Sequence, residues 1–98
     1  MVRFSLRAES DLSQIIQYTI QSWGQLKADH YLLGIHKICQ RLECMPNLGR
    51  HCDEVRTGLL RIEYGRHVIF YRLSPVEDVL IVRILHQNML PGNYGMGE

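Results

Sequence analysis

Pro46-Asn47-Leu48-Gly49-Arg50, then Asp53-Glu54-Val55-Arg56-Thr57-Gly58, then Gly65-Arg66-His67-Val68-Ile69-Phe70-Tyr71-Arg72, is the span on which the fold turns. Before it, apolar residues recur at helical spacing. After it, they alternate with polar ones. The span itself is rich in turn residues and arginine, so it reads as the hinge between a helical half and a strand-rich half.

Upstream, Val2 to Phe4 reads as a short strand. Ser5 sits at an N-cap position, with Glu9 and Asp11 near the start of the helix that follows. Ala8, Leu12, Ile15, Ile16, Thr19 and Trp23 form one apolar stripe. Gly24 is placed to end that helix in a left-handed cap. A second helix is expected from Gln25 to Met45, burying Ala28, Tyr31, Leu32, Ile35, Ile38, Cys39 and Leu42. Pro46 stops it. The break at Gly24 is so short that the helices fold back as an antiparallel hairpin. Gly34 lies inside the second helix, where it permits close helix contact. Leu26, His30, Leu33 and Lys37 fall on the opposite side. With Tyr18, off the core stripe of the first helix, they offer a seat for a partner; scattered surface apolar residues are the plainer alternative.

Downstream, Leu60, Ile62 and Tyr64 alternate with Arg61 and Glu63. Gly65-Arg66 makes a tight hairpin turn, His67 to Leu73 the next strand, and Ser74 to Asp78 a turn. Val79 to Leu85 is the last strand. Its nearly unbroken apolar run predicts burial on both faces, with the first strand beside it. The fold class is α+β, β-α-α-β-β-β: a helical hairpin packed on one face of a small, mainly antiparallel sheet. The chain is expected to be a single domain over 1–98, with a loose tail from about residue 87.

The 98 residues are 46% hydrophobic and 21% charged, with a net charge of +1. That is ordinary globular composition, and it argues against both disorder and general nucleic-acid binding. No apolar run reaches the roughly 20 residues of a membrane span, and no leader is expected. Cys39, Cys44 and Cys52 match neither a disulfide framework nor a standard metal spacing with His51. A reducing compartment and no metal are expected. From Arg56 to Arg72 there are four arginines, Arg56, Arg61, Arg66 and Arg72, against one acid, Glu63. Arginine suits carboxylates, phosphates and protein interfaces. Pairing with Asp53, Glu54, Glu63, Glu77 or Asp78 would use up some of them. Asp53-Glu54 are expected to pin their loop by ion pairing.

His86, at the end of the last strand, is the best placed of five histidines to move a proton. With Arg83 and Arg61 it outlines a phosphodiester-cleaving site. The alternative is a histidine at a strand end with arginines bonded to acids.

The ordered set of motifs resembles the ParE branch of the RelE/ParE superfamily of toxin-antitoxin systems. It runs from Phe4-Ser5, Ala8-Glu9, Asp11-Leu12, Ile15, Tyr18 and Trp23-Gly24 through Ala28 and Tyr31-Leu32. It continues with Pro46, Gly49-Arg50, Asp53-Glu54, Arg56 and Gly58, and finishes with His67, Ile69-Phe70-Tyr71-Arg72, Val82-Arg83-Ile84-Leu85-His86 and Met89. The resemblance implies a cytoplasmic toxin that inhibits DNA gyrase by binding, without catalytic residues or cofactor. It implies neutralisation by a ParD-like antitoxin in a hetero-oligomer. Antitoxin contacts are expected at Tyr18, Leu26, His30, Leu33, Arg56, Arg61, Arg66 and Arg72. Target contacts are expected at Arg83, His86 and Met89, with no direct sequence-specific nucleic-acid binding. RelE-like relatives cleave ribosome-bound mRNA, and Arg61, Arg83 and His86 would then be catalytic. A run of sheet lysines and an aromatic after His86, where Gln87 stands, are missing, which favours the gyrase branch. A degenerate toxin that only binds antitoxin is the remaining alternative. The chain departs from the family after Met89, where an aspartate and a basic tail are replaced by residues 90–98.

Overall fold

The computed structural model describes residues 1–76, 78–89 and 91–93. Strand β1 (Val2–Phe4) leads into helices α1 (Leu6–Trp23) and α2 (Gln25–Cys44). Strands β2 (Arg50–His51), β3 (Leu60–Tyr64), β4 (His67–Leu73) and β5 (Val79–His86) follow, then a 3-10 turn at Pro91–Asn93. The sheet order is β1-β5-β4-β3-β2. β1 runs parallel to β5, and the other pairings are antiparallel. The expected helical pair, three-strand meander and β1–β5 pairing are all present. β2 was not anticipated, because two residues are too few to display an alternation.

Local chemistry sets the boundaries. Ser5 caps α1, accepting the Ala8 amide at 3.0 Å. Gly24 has φ 93° and ψ 168°, a positive-φ conformation that is extended rather than left-handed helical. This lets one residue end α1 and begin α2. Gly65 has φ 57° in the two-residue turn joining Tyr64 to His67.

Two clusters of buried side chains lie on opposite faces of the sheet. Beneath the helices, Ala8, Ile35, Ile38, Cys39 and Leu42 pack against Leu60, Ile69, Tyr71, Val79, Ile81 and Ile84. On the other face, Cys52, Leu59, Val68, Phe70, Val82 and Leu85 form a second cluster, flanked by Val55, Leu80 and Met89. β5 contributes to both, as its sequence predicts. The loop from Cys52 to Leu59 thus covers a face that the sequence reading left bare.

Three expectations are corrected. Residues 20–27 are all exposed, so the tip of the hairpin stands clear of the sheet. Trp23 is therefore 65% exposed rather than part of the core stripe, with Lys27 Nζ 5.3 Å from its ring centroid. Leu32 is likewise exposed. The tail expected to be loose from residue 87 is tied as far as Met89: Gln87 donates to the Arg66 carbonyl and Met89 to that of His86. Leu90 and residues 94–98 lie outside the described residues.

Gly34 admits a strand side chain rather than the other helix. A Cβ there would collide with Tyr64 Oη. Gly34→Ala forfeits the usual helix-propensity gain of about 1 kcal/mol and is expected to lower the melting temperature. In a Tyr64→Ala background the same substitution is expected to raise it, which thermal denaturation of the four proteins checks.

Candidate functional site

Beyond Phe4, β1 ends and the outer edge of β5 would lie open. The start of α1 closes it. Ser5 donates its amide to the Ile81 carbonyl at 2.9 Å and its hydroxyl to the Val82 carbonyl at 2.8 Å. Val82 is the extra residue where the β4–β5 register shifts between Phe70 and Tyr71. Asp11 completes the seal. Its carboxylate accepts the Ile84 amide at 3.0 Å and the Arg83 guanidinium at 2.8 and 2.9 Å. Both side chains are 13% exposed. A two-point pair of this kind is strongly oriented, and it holds Arg83 as a brace between α1 and β5.

Arg61 and Arg83 both sit opposite Phe70 on β4. Arg61 lies over the Phe70 ring, 5.7 Å from its centroid, and donates to Glu63 at 3.2 Å. Its Nε is buried without a hydrogen-bond partner. Glu63 also accepts from Arg50. His86 instead faces His67, with ring centroids 5.6 Å apart. The outlined cleavage trio is therefore divided: Arg83 joins Asp11, Arg61 joins Glu63 and Phe70, and His86 joins His67. Met89 packs against the second cluster.

The residues expected to meet an antitoxin separate onto two surfaces. On the helices, Tyr18 is 66%, Leu26 83% and Leu33 49% exposed, and His30 is exposed with them. Strand alternation places Arg61 and Arg72 on the opposite face, with Phe70. Arg56 in the loop and Arg66 in the turn are exposed. Asp53 accepts the Gly58 amide at 3.0 Å and Glu54 accepts the Cys52 thiol at 3.7 Å. These hydrogen bonds help to hold this part of the loop. Burial raises the pKa of the Cys52 thiol, and Glu54 adds to the effect. All three cysteines are free. Among the described residues, no group of three or more potential ligands could hold a metal, and no helix is long and apolar enough to cross a membrane.

The opening motif finds its anchor in Tyr71, which is fully buried. Its hydroxyl donates to the Pro46 carbonyl at 2.9 Å and accepts the Gly49 amide at 2.8 Å. The loop leaving α2 is thereby fixed to the middle of the sheet. The sequence reading noted Pro46, Gly49 and Tyr71 separately and missed the bond between them. It also missed Asp11 and His67 as partners of Arg83 and His86. Strand register decides those pairings, and a bulge in β5 shifts it.

Two helices on a five-stranded mixed sheet, with β1 returning beside β5, define the RelE/ParE class of toxin fold. Solved structures agree. The chain superposes on one described as a chromosomal ParDE toxin-antitoxin system from P. aeruginosa, with a TM-score of 0.73 and 20% identity, over 87% of this chain and 92% of that one. It also superposes on the RelBE2 toxin-antitoxin complex from Mycobacterium tuberculosis, with a TM-score of 0.63 and 19% identity, over 88% and 95%.

Residues 2–91 match the family described as ParE toxin of the type II toxin-antitoxin system parDE, and the chain belongs to that family. It is 35% identical over 82 residues to Toxin ParE1 of Mycobacterium tuberculosis, covering 84% of each chain. It is 36% identical over 87 residues to Toxin ParE1 of Caulobacter vibrioides, covering 89% and 88%.

Proposed function

We propose that this chain is a cytoplasmic, single-domain toxin that arrests DNA gyrase by binding and is silenced by a ParD-like antitoxin. The observation that carries the reading is the division of the basic side chains. Arg83 is held by Asp11 and Arg61 by Glu63, away from His86, so the histidine and arginine groups do not converge as phosphodiester cleavage requires. Exposed apolar side chains on the helical hairpin supply what a binding protein needs: anchors for a partner. An extended antitoxin segment would lie across Tyr18, Leu26, His30 and Leu33. Its acidic residues would then reach around the sheet to Arg56, Arg61, Arg66 and Arg72, adding steering and register. Target contacts fall near His86, Met89 and the strand end that Arg83 braces.

Leu33→Glu tests the antitoxin surface. The substitution places a charge on an already exposed position, so the melting temperature is expected to move by less than about 1 kcal/mol in equivalent stability. Affinity for the antitoxin encoded by the neighbouring reading frame is expected to fall about a hundredfold, near the 2 to 3 kcal/mol of an interface anchor. Titration calorimetry reads the affinity. Equal losses in stability and affinity would place Leu33 in the fold instead.

A further inference from the structure

A polar cluster at the closed end of the sheet is absent from the functional reading above. Tyr31, about two turns into α2, reaches the β3–β4 turn. Its hydroxyl donates to the Tyr64 carbonyl at 3.0 Å and lies 2.7 Å from His67 Nδ1. With the phenol proton given to Tyr64, His67 presents Nδ1–H to the phenol oxygen. Tyr31 and Tyr64 have ring centroids 4.9 Å apart, and Tyr31 meets His67 edge-on at 5.6 Å. The fit is close: a Cβ on Gly65 would lie 2.6 Å from Tyr31 Oη. His86 meets His67 edge-on across β4–β5, and its Nδ1 accepts the Asn88 amide at 3.2 Å.

The charges around this cluster are one-sided. Among the described residues, the groups gathered at His67 are Tyr31 from α2, Tyr64 from β3 and His86 from β5, with exposed Arg66 its neighbour in the chain. None is an acid. Glu63, one residue before Tyr64, belongs to the other sheet face, where Arg50 and Arg61 hold it. Among the described residues, a proton added to half-buried His67 therefore meets a neighbouring imidazole and no carboxylate.

We propose that Tyr31, His67 and His86 form a proton-operated latch between α2 and the ends of β3, β4 and β5, closed at neutral pH and released by protonation of His67. Burial, and after it His86, holds the His67 pKa below the usual histidine value. As pH falls, the unfolded or locally opened chain takes up the proton first. The closed state is then disfavoured, so its stability is complete above about pH 6.5 and is lost as pH falls through the lower folded value. Release frees the stretch of α2 that carries His30 and Leu33. Any effect on antitoxin binding rests on the function proposed above, whereas the latch itself does not.

Amide hydrogen exchange on the free protein tests it, at pH 7.5 and pH 5.5, corrected for intrinsic rates. Protection over residues 28–35 and 64–67 is expected to drop several-fold at the lower pH, while Ile81 and Ile84 stay protected. His67→Asn is expected to remove the pH dependence, and His86→Asn to shrink it. Tyr31→Phe is expected to lower protection at both pH values. Equal protection at the two pH values, or an undiminished drop in His67→Asn, would overturn the latch.

Discussion

Gly49→Ala is expected to lower the melting temperature by about 15 °C. A Cβ at this position would lie 2.6 Å from the Arg61 carbonyl oxygen and 2.6 Å from Tyr71 Oη. The first is backbone in β3. The second belongs to a fully buried ring that already bridges Pro46 and Gly49. Neither can give way without moving the sheet or breaking the bridge. Overpacking of this kind costs about 3 kcal/mol, and for a domain of this size each kcal/mol moves the midpoint by about 4 to 8 °C. Differential scanning calorimetry checks the value. Tyr71→Phe separates the two contributions. It removes only the hydroxyl, leaves the Gly49 amide and the Pro46 carbonyl without that partner, and is expected to cost about 2 kcal/mol. A Gly49→Ala protein that melts within 3 °C of the parent would show that the loop leaving α2 is not held against the sheet.

The second large effect is expected at Asp11. Asp11→Ala leaves the Arg83 guanidinium and the Ile84 amide without their carboxylate, in a setting where both side chains are 13% exposed. Removing one partner of a largely buried pair costs about 3 kcal/mol, mostly because the remaining charge loses its compensation. Arg83→Met alone removes that charge and is expected to cost less. The double variant Asp11→Ala, Arg83→Met is expected to recover at least half of the Asp11→Ala loss. Denaturant unfolding of the four proteins, as a double-mutant cycle, gives the coupling. Additive losses would mean that Arg83 does not depend on Asp11, and would return it to the set of side chains available for a target.

These two sites mark the boundary of what the sequence reveals. Ser5 was legible because a capping residue acts on its own helix, three positions away. Gly65-Arg66 was legible because a two-residue turn fixes the register of the strands beside it. The apolar run of β5 announced burial on both faces and so placed β1 beside it. Asp11–Arg83 and His67–His86 span long separations, and the extra residue Val82 resets which residues face one another. The second cluster was hidden because Leu59 and Val55 lie in a loop whose apolar residues carry no periodicity. Trp23 was misread because helical spacing continues to the tip of α1 although the sheet beneath it does not.

The candidate site follows the same division. Exposed Tyr18, Leu26 and Leu33 were legible as a stripe off the buried face. The cleavage trio was an arrangement that only register could test, and register dissolves it. His86 faces another histidine near Tyr31, while Arg61 and Arg83 are held at Glu63 and Asp11.

Action by binding is the centre of the account. Its most direct test adds the purified protein to DNA gyrase, supercoiled plasmid and ATP, and measures both supercoiling and enzyme-linked cleaved DNA. The account predicts inhibited supercoiling with accumulated cleavage, relieved by the antitoxin, and ribosome-bound mRNA left intact. Unaffected gyrase, together with ribosome-bound mRNA cut in a His86-dependent way, would contradict it.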